Sequence, residues 1–407
     1  MLLSTLFTTK SKAAISSPTN LGLISLTYFF YFGQLGVITP YAGVFLDGRG
    51  FSSQEIGSLL AIITLTRVLG PNLWAAIADK TGRGADIVRF GCLLAFVTFT
   101  AVYFSYSFWA LTLSFGMMMM FWTAVLPQLE VITVSASKDS KGGYGAVRLW
   151  GSIGFIVLSL LIGFLLDFFS TEVIIYTSSF CLLALYISSL FIASPQAVPK
   201  HERVVVNEWH KVRSLVFIVF IISAIFLQIS FGSYYSFFAL YMGDLDYSGK
   251  QTGLFIAVGV LSEIGIFIIA SRLIAKFGVK WMLIISMLLT SVRWLTLALI
   301  PESASAIIFS QTLHAFSFGM THATSVHFLY TYFGSGFQSR AQALYVSIAF
   351  GIGGALGSFI AGNIWMQGAG AEKSFIVSAS FAFVGAFALL LVSSKKFFDK
   401  KQHNKKH

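Results

Sequence analysis

The feature that most constrains this chain is a series of twelve apolar stretches that together fill most of its 407 residues. A helix needs about 20 apolar residues to cross the hydrocarbon core of a bilayer. The stretches lie at residues 21–46, 55–78, 87–107, 109–135, 145–168, 171–194, 214–242, 251–271, 281–300, 303–332, 341–363 and 374–394. A backbone in lipid must satisfy its own hydrogen bonds, which leaves helices or a closed barrel, and these runs are too long for barrel strands. The sequence therefore predicts an all-α integral membrane protein with twelve transmembrane helices.

The charged residues support this class and indicate an orientation. They make up only 11% of the chain, whereas a soluble protein has roughly a quarter. The net charge of +11 has the sign that nucleic acid attracts, but most Lys and Arg lie in the two tails and in alternate loops. The opposite side carries Arg49, Lys250 and Lys373. This positive-inside bias predicts the cytoplasmic (inner) membrane, both termini in the cytoplasm and no nucleic-acid partner.

The chain divides into two related halves. Residues 45–62 align without gaps on residues 241–258 at an offset of 196, and the same offset places Lys80 on Lys276 and Gly82 on Gly278. We therefore expect two pseudo-symmetric six-helix halves, with a substrate site near the midplane where they meet. The expected parts are a cytoplasmic tail at 1–20, a first bundle at 21–194, a central linker at 195–213, a second bundle at 214–394 and a basic tail at 395–407.

The loop between the second and third stretches carries a recognisable motif. Asp79, Lys80, Gly82 and Arg83 stand in the pattern of acid, base, any residue, Gly and Arg, which resembles the loop motif of the major facilitator superfamily. The resemblance implies that these four residues form a conformational latch. A solvated loop that only carries positive-inside charge is the alternative. The position of the family's Gly, four before the acid, is Ala75 here.

Few charges lie inside the apolar stretches, where charge is costly and usually faces a cavity or another charge. Glu130 and Arg148 flank a short loop, so we expect them at similar depth as an opposite-charge pair; a purely structural ion pair or a snorkelling arginine is the alternative. Arg148, Ser152 and Phe155 are spaced by four and three and share one helix face. The other ionisable residues of the stretches are Arg67, Glu263, Arg293, His314, His322 and His327.

These residues extend the resemblance to one branch of the superfamily. LPQLE with the arginine of YGAVRLWGSIGF resembles the lactose permease branch, in which that Glu and Arg hold the sugar, and Phe155 stands where an aromatic ring stacks on it. The chain is also similar to transporters of 3-phenylpropionic acid in YGAVRLWGS, in GVLSEIGIF around Glu263 and in SVRWLTL around Arg293. The resemblance implies substrate contacts from Glu130 and Arg148.

Two departures concern the coupled ion. The acid that releases the proton in lactose permease is replaced by Ser317, and a nearby Lys by Gln311. We therefore expect Glu263 to carry the proton, because a carboxylate between desolvation and an arginine can gain and lose protons as the cavity opens to each side. The expected partners in coupling are Arg293, His314 and His322. Each histidine has a structural hydrogen bond as its alternative role.

Two further residues are candidates for the cavity wall. Arg67 and Tyr235 are expected to contact substrate, with helix packing as the alternative for Arg67. Arginines suit a carboxylate and the aromatic spans suit a ring, so an aromatic acid such as 3-phenylpropionate is the first expectation. A sugar or a nucleoside is the alternative substrate, since Glu130 beside Arg148 also suits hydroxyl groups.

The predicted function is secondary active transport, with proton-coupled uptake of a small organic solute. The sequence has no phosphate-binding GxxxxGK[ST] motif, so ATP hydrolysis is not expected. A membrane enzyme is disfavoured because His314 and His322, eight residues apart, are not expected to share a helix face. A non-transporting sensor on the same fold is a further alternative. We expect no cofactor and no metal; the expected partners are the solute, protons and the bilayer, with the protein as a monomer.

Overall fold

The computed structural model of the chain describes residues 20–81, 83–138, 140, 142–192 and 207–397. For residues 67, 69, 71–73, 75–81, 395 and 396 it describes the backbone alone. Residues 1–19 of the expected N-terminal tail, residues 193–206 at the expected boundary of the first bundle and linker, and residues 398–407 of the basic tail lie outside this part. The residues that it covers contain no strand and are almost entirely helical.

Twelve long helical segments follow one another along the described chain. We number them α1 Leu21–Gly48, α2 Ser53–Thr81, α3 Gly84–Phe104, α4 Phe108–Ala136, α5 Gly143–Leu166, α6 Val173–Leu190, α7 Leu215–Asp244, α8 Gly249–Phe277, α9 Val279–Leu299, α10 304–332, α11 Gln338–Gly368 and α12 Ala371–Leu391. Ten of these described helices are long and apolar enough to cross a membrane. The remaining two, α2 and α10, are more polar along their length. The predicted all-α transmembrane fold is confirmed.

The internal repeat is visible in the positions of the helix ends. Helix α1 ends at Gly48 and α2 runs over Ser53–Thr81. Adding the offset of 196 gives residues 244, 249 and 277, which are the end of α7 and the two ends of α8. The loops between these helices have the same length, so the pseudo-symmetry holds at the level of single residues.

Glycines let α1 and α5 pack with their backbones in contact. A Cβ on Gly154 would overlap the carbonyl group of Phe29, and a Cβ on Gly36 would lie 2.5 Å from the carbonyl oxygen of Phe155. Small residues at such crossings are typical of membrane helices, where close van der Waals packing drives association. The crossing fixes the direction in which the first turns of α5 project their side chains.

The two halves meet closely at the end of the bundle that holds the α1–α2 and α7–α8 loops, which we call the closed end. There the carboxylate of Asp167, just after α5, accepts hydrogen bonds from the backbone N–H groups of Gly249 at 2.6 Å and Lys250 at 3.0 Å. Ser248 and Gln251 complete the first turn of α8 with a capping box. The first N–H groups of a helix have no intrahelical partner, so Asp167 joins the halves by satisfying two of them.

A second network braces the closed end within the first half. The guanidinium of Arg49 donates to both carboxylate oxygens of Glu172 at 2.7 and 2.8 Å and to the carbonyl oxygens of Val102 and Ser105. Only 7% of the Arg49 side chain is exposed. Because bidentate charge-assisted bonds are the strong ones, Arg49 ties three loops of this half together.

Helices α10 and α11 each contain a π-helical segment, at Ala315–Met320 and Val346–Gly353. Such turns carry i→i+5 hydrogen bonds, are rare, and occur frequently at functional sites. The one in α10 begins directly after His314, so it changes which residues of this helix share a face.

Candidate substrate and proton site

Arg148 lies near the start of α5, where it packs on aromatic rings of α1. The guanidinium carbon is 3.9 Å from the centre of the Phe32 ring and 5.7 Å from that of Tyr28. The rings of Tyr28 and Phe32 are parallel within 7°, one helical turn apart. Gly151 leaves room for this arrangement, since a Cβ there would lie 2.6 Å from Phe32 and 2.9 Å from Arg148 Nη1.

The expected contact between Glu130 and Arg148 is not made in this structure. Among the described residues Arg148 has no hydrogen bond, and no oxygen of Glu130 comes within ion-pair distance of it. Glu130 instead accepts a hydrogen bond from the hydroxyl of Tyr144 at 3.3 Å. The physical reason is the α1–α5 crossing, which draws the guanidinium onto the Phe32 ring. Five N–H donors of Arg148 therefore remain available.

Arg148 and Glu263 lie at the same depth in the two halves. Helices α5 and α8 touch at Gly163 and Gly249, where a Cβ on either residue would overlap the other's carbonyl oxygen. Arg148 is fifteen residues from that contact along α5 and Glu263 fourteen along α8, which are distances of about 22 and 21 Å.

Arg293 of α9 is fully buried, and neutral groups hold its guanidinium. Nη1 is 2.9 Å from His314 Nδ1 and donates to Ser317 Oγ at 3.0 Å, while Nη2 donates to Gln311 Oε1 at 3.2 Å. The hydroxyl of Tyr234 also donates to Gln311 Oε1, at 2.9 Å. Ser317 and Gln311 are the two positions that the sequence analysis named as departures in the coupling region. In the described part of the chain no carboxylate touches Arg293.

His314 connects Arg293 to Glu263. A guanidinium has no acceptor, so Nδ1 of His314 must accept from Arg293, and Nε2 carries the hydrogen of the neutral ring. That Nε2 lies 3.6 Å from Glu263 Oε2, which is longer than a hydrogen bond. The Glu263 side chain is 19% exposed. Arg293, His314 and Glu263 thus form a chain. A small movement of Glu263 toward the histidine would bring its Oε2 within hydrogen-bonding distance of Nε2.

The structure contradicts the expectation that His314 and His322 lie on different faces of their helix. Both rings stack on Phe318, with centroids 5.6 Å away for His314 and 6.0 Å for His322, and interplanar angles of 13° and 4°. The π-helical turn Ala315–Met320 places more residues in each turn, which brings the eight-residue spacing to about two turns. His322 is thus part of the same wall as His314.

For the other predicted site residues, the structure gives mainly burial and packing. Ser152 and Phe155 are half-buried on the continuous helix α5, in register with Arg148 as expected. Tyr235 is half-buried and stacks on Phe231 at 5.2 Å. The side chains of Arg67, Asp79 and Lys80 and the whole of Gly82 lie outside the described residues.

Of the four motif residues of the expected latch, Arg83 is the one whose side chain is described. Its Nε donates to Asp86 at 2.7 Å. A conformational latch remains a prediction.

Sequence reasoning missed the aromatic groups that position the charges. Phe32 was not identified as the partner of Arg148, Tyr144 as the partner of Glu130, or Phe318 as the ring between two histidines. The available signals were the aromatic cluster TYFFYF in α1 and the i, i+4 spacing of Phe318 to both histidines. Gln311 was noted as a departure, and the structure adds that it binds Arg293 and Tyr234.

Comparison with known proteins shows the family of this chain. A sequence profile described as "MFS_1 like family" matches residues 21–377. The chain belongs to the MFS_1 like family. It is therefore a multi-pass membrane transporter of the major facilitator superfamily, as the loop and span motifs predicted.

Individual relatives differ in the solutes that their names give. The chain is 28% identical over 364 residues to the "Probable 3-phenylpropionic acid transporter" of Escherichia coli strain K12, which covers 84% of this chain and 90% of the relative. It is 25% identical to the maltose permease of Geobacillus stearothermophilus, over 91% of this chain and 94% of that protein. Both likenesses cover nearly the whole transporter.

Solved structures show the same fold at lower sequence identity. A variant of the nucleoside transporter NupG superposes with a TM-score of 0.82 at 16% identity, covering 91% of this chain and 99% of that chain. A bacterial homologue of the human lysosomal transporter Spinster, in an inward-facing and unoccupied conformation, gives a TM-score of 0.70 at 14% identity, covering 93% and 96%.

Proposed function

We propose that this transporter takes up a small aromatic carboxylic acid, such as 3-phenylpropionate, together with a proton. The observation that carries the proposal is Arg148, a guanidinium within the transmembrane helix α5 that rests on an aromatic ring and has no hydrogen bond among the described residues. A permanent cation inside a membrane protein usually has a partner. A carboxylate supplies one, and the planar fork of arginine binds it with two hydrogen bonds.

We also propose that Glu263 carries the transported proton. His314 is held at Nδ1 by a guanidinium donor, so a second proton on that nitrogen would face a cation with no acceptor. Glu263 has a partly exposed carboxylate whose one neighbouring donor, among the described groups, is His314 Nε2 at 3.6 Å. Glu263 is therefore the group that can change its protonation. A change in the charge of Glu263 would alter its interaction with His314 Nε2, and the His314 ring would transmit that change to Arg293.

Charge balance supports coupling of the two substrates. Arg148 and Glu263 lie at the same depth on α5 and α8, which are in contact, and a carboxylate bound to Arg148 would bring a second negative charge to this level of the bundle. Two carboxylates close together favour protonation of one of them. Binding of the acid thus favours loading of Glu263 with a proton, which is the thermodynamic requirement for symport.

We further propose that residues 21–194 and 214–394 act as the two moving bundles, with both termini in the cytoplasm. In that orientation the closed end faces outward. Asp167 and the Gly163–Gly249 contact then hold the outer side shut, and uptake requires that they part. The cytoplasmic orientation rests on the distribution of Lys and Arg, and the inner membrane is the proposed location.

A sugar or a nucleoside is the second candidate substrate. It is favoured by the maltose permease and by NupG, whose names give those solutes. Glu130 and Tyr144 would then offer a hydroxyl-binding pair opposite Arg148. Competition between the classes distinguishes them.

The test uses purified protein in liposomes with radiolabelled 3-phenylpropionate. An imposed inward proton gradient should drive accumulation above equilibrium, and a protonophore should abolish it. Unlabelled maltose and uridine should not compete.

Accumulation that follows a sodium gradient and ignores protons would disprove proton coupling. Uptake of labelled maltose or uridine, with none of labelled 3-phenylpropionate, would favour the second candidate. Binding without any uptake would indicate a sensor.

A further inference from the structure

The aromatic contact of Arg148 has a role of its own in the proposed site. Phe32 offers its ring face to the guanidinium at 3.9 Å, and Gly151 leaves a slot that holds both groups. A cation over a ring face is attracted by the ring quadrupole, and the attraction grows when water is excluded. A stacked guanidinium keeps its N–H groups in the plane, pointing away from the ring.

The ring is itself fixed by its neighbours. Tyr28 is fully buried and lies parallel to Phe32, and Tyr31 meets the edge of Phe32 with centroids 5.1 Å apart. Tyr31 in turn stacks on Trp122 of α4 at 4.3 Å and 6°. A chain of packed rings from α4 through α1 to α5 therefore determines where Arg148 can lie.

The acid that competes for Arg148 is close at hand. Glu130 accepts a hydrogen bond from Tyr144, which lies one helical turn before Arg148 on α5, so its carboxylate lies beside the first turns of that helix. Without the Phe32 ring, the guanidinium would keep only the more distant ring of Tyr28, at 5.7 Å, and could turn to that carboxylate. A Glu130–Arg148 ion pair has no net charge, so it would bind hydroxyl groups better than carboxylates.

We infer that Phe32 is the positioning and specificity-determining residue of the site, which holds Arg148 apart from Glu130 so that it selects a carboxylate over a neutral polyol. This inference rests on the proposed function, because it concerns the same substrate site. It adds a residue of α1 that does not touch the charge of the substrate but decides whether Arg148 is free to do so.

The test follows Arg148 directly with phenylglyoxal, an arginine-directed reagent, and measures the modified peptide by mass spectrometry. Exposed Arg340 serves as the internal standard for reagent activity. In the wild-type protein Arg148 should react readily and be protected by 3-phenylpropionate. Phe32→Leu should slow the reaction and weaken protection about 3- to 30-fold, the range that corresponds to a desolvated cation–π contact.

Matched variants separate the ring's role from general packing. Phe32→Tyr keeps the ring face and should behave as wild type. Phe30→Leu is the same change two residues away, where the ring meets Phe29 and Phe180 instead, and it should also behave as wild type. Gly151→Ala crowds the ring and the guanidinium without removing either, so it should also slow the reaction and weaken protection. It therefore tests the positioning role even if Phe32→Leu folds poorly.

The outcomes distinguish this inference from the proposed function. Wild-type reactivity of Arg148 in both Phe32→Leu and Gly151→Ala would overturn the positioning role of Phe32, whatever the substrate. Slower reaction in those variants, with no protection of wild-type Arg148 by 3-phenylpropionate, would keep the positioning role and refute the proposed substrate.

Discussion

Gly249→Ala should open the closed end of the transporter. A Cβ on Gly249 would overlap the carbonyl oxygen of Gly163 and lie 3.2 Å from its carbonyl carbon. To restore ordinary contact, α5 and α8 must part by roughly 1 Å at this point. Overpacking of a close contact costs about 1–3 kcal/mol, and here the cost disappears when the halves separate.

The magnitude follows from that cost. A penalty of about 1–3 kcal/mol on the closed form lowers the ratio of closed to open molecules about 5- to 150-fold. Intrinsic helix propensity favours Ala over Gly, but α8 is helical in both forms, so this preference does not change their ratio. Gly265→Ala on the same helix is the matched control, since a Cβ there meets nothing within 4 Å.

The assay is a distance measurement by pulsed electron paramagnetic resonance. Spin labels at Phe169 and Lys250, both exposed, report the separation of the two halves at the closed end. Cys92 and Cys181 are buried and would be replaced beforehand. Wild type and Gly265→Ala should give one short distance, and Gly249→Ala a longer or second one. An unchanged distance in Gly249→Ala, with the protein folded, would refute the idea that this contact holds the end shut.

Two further changes test other parts of the account. Arg49→Ala should lower thermal stability in detergent by the equivalent of about 2–3 kcal/mol, because it removes four hydrogen bonds at a nearly buried site; exposed Arg340→Ala is the control, and equal melting temperatures would contradict the assignment. Arg148→Lys keeps the charge but loses the planar fork, so uptake of 3-phenylpropionate should be lost while insertion and size-exclusion profile stay normal. Normal uptake in that variant would indicate that Arg148 has only a structural role.

The fold could be predicted from the sequence because its determinants are local. Span length and apolarity mark each helix, and the offset of 196 gives the repeat. The ends of α7 and α8 fall where the repeat places them. The polarity of α2 and α10 also has a cause in the sequence, since these spans carry the charged motif residues and the three histidines.

The residues of the candidate site stay a prediction from the sequence, and several of their contacts could not be read from it. The matched depth of Arg148 and Glu263 follows from counting along two helices that cross near Gly163 and Gly249. The partner of Arg148 depends instead on how α1 crosses α5. Glycines of both helices determine that crossing, and they lie more than a hundred residues apart in the sequence. No residue type marks a π-helical turn, so the shared face of His314 and His322 could not be read from spacing that assumes a regular helix.

The measurement that most directly tests the central claim compares accumulation with exchange in Glu263→Gln. This change mimics a permanently protonated carboxylate. In proteoliposomes the variant should exchange labelled for unlabelled 3-phenylpropionate, while accumulation driven by a proton gradient is lost. His314→Gln is the comparison, and it should bind more weakly but still accumulate some substrate. Accumulation at the wild-type level in Glu263→Gln, or exchange without accumulation in His314→Gln alone, would contradict the assignment of the proton to Glu263.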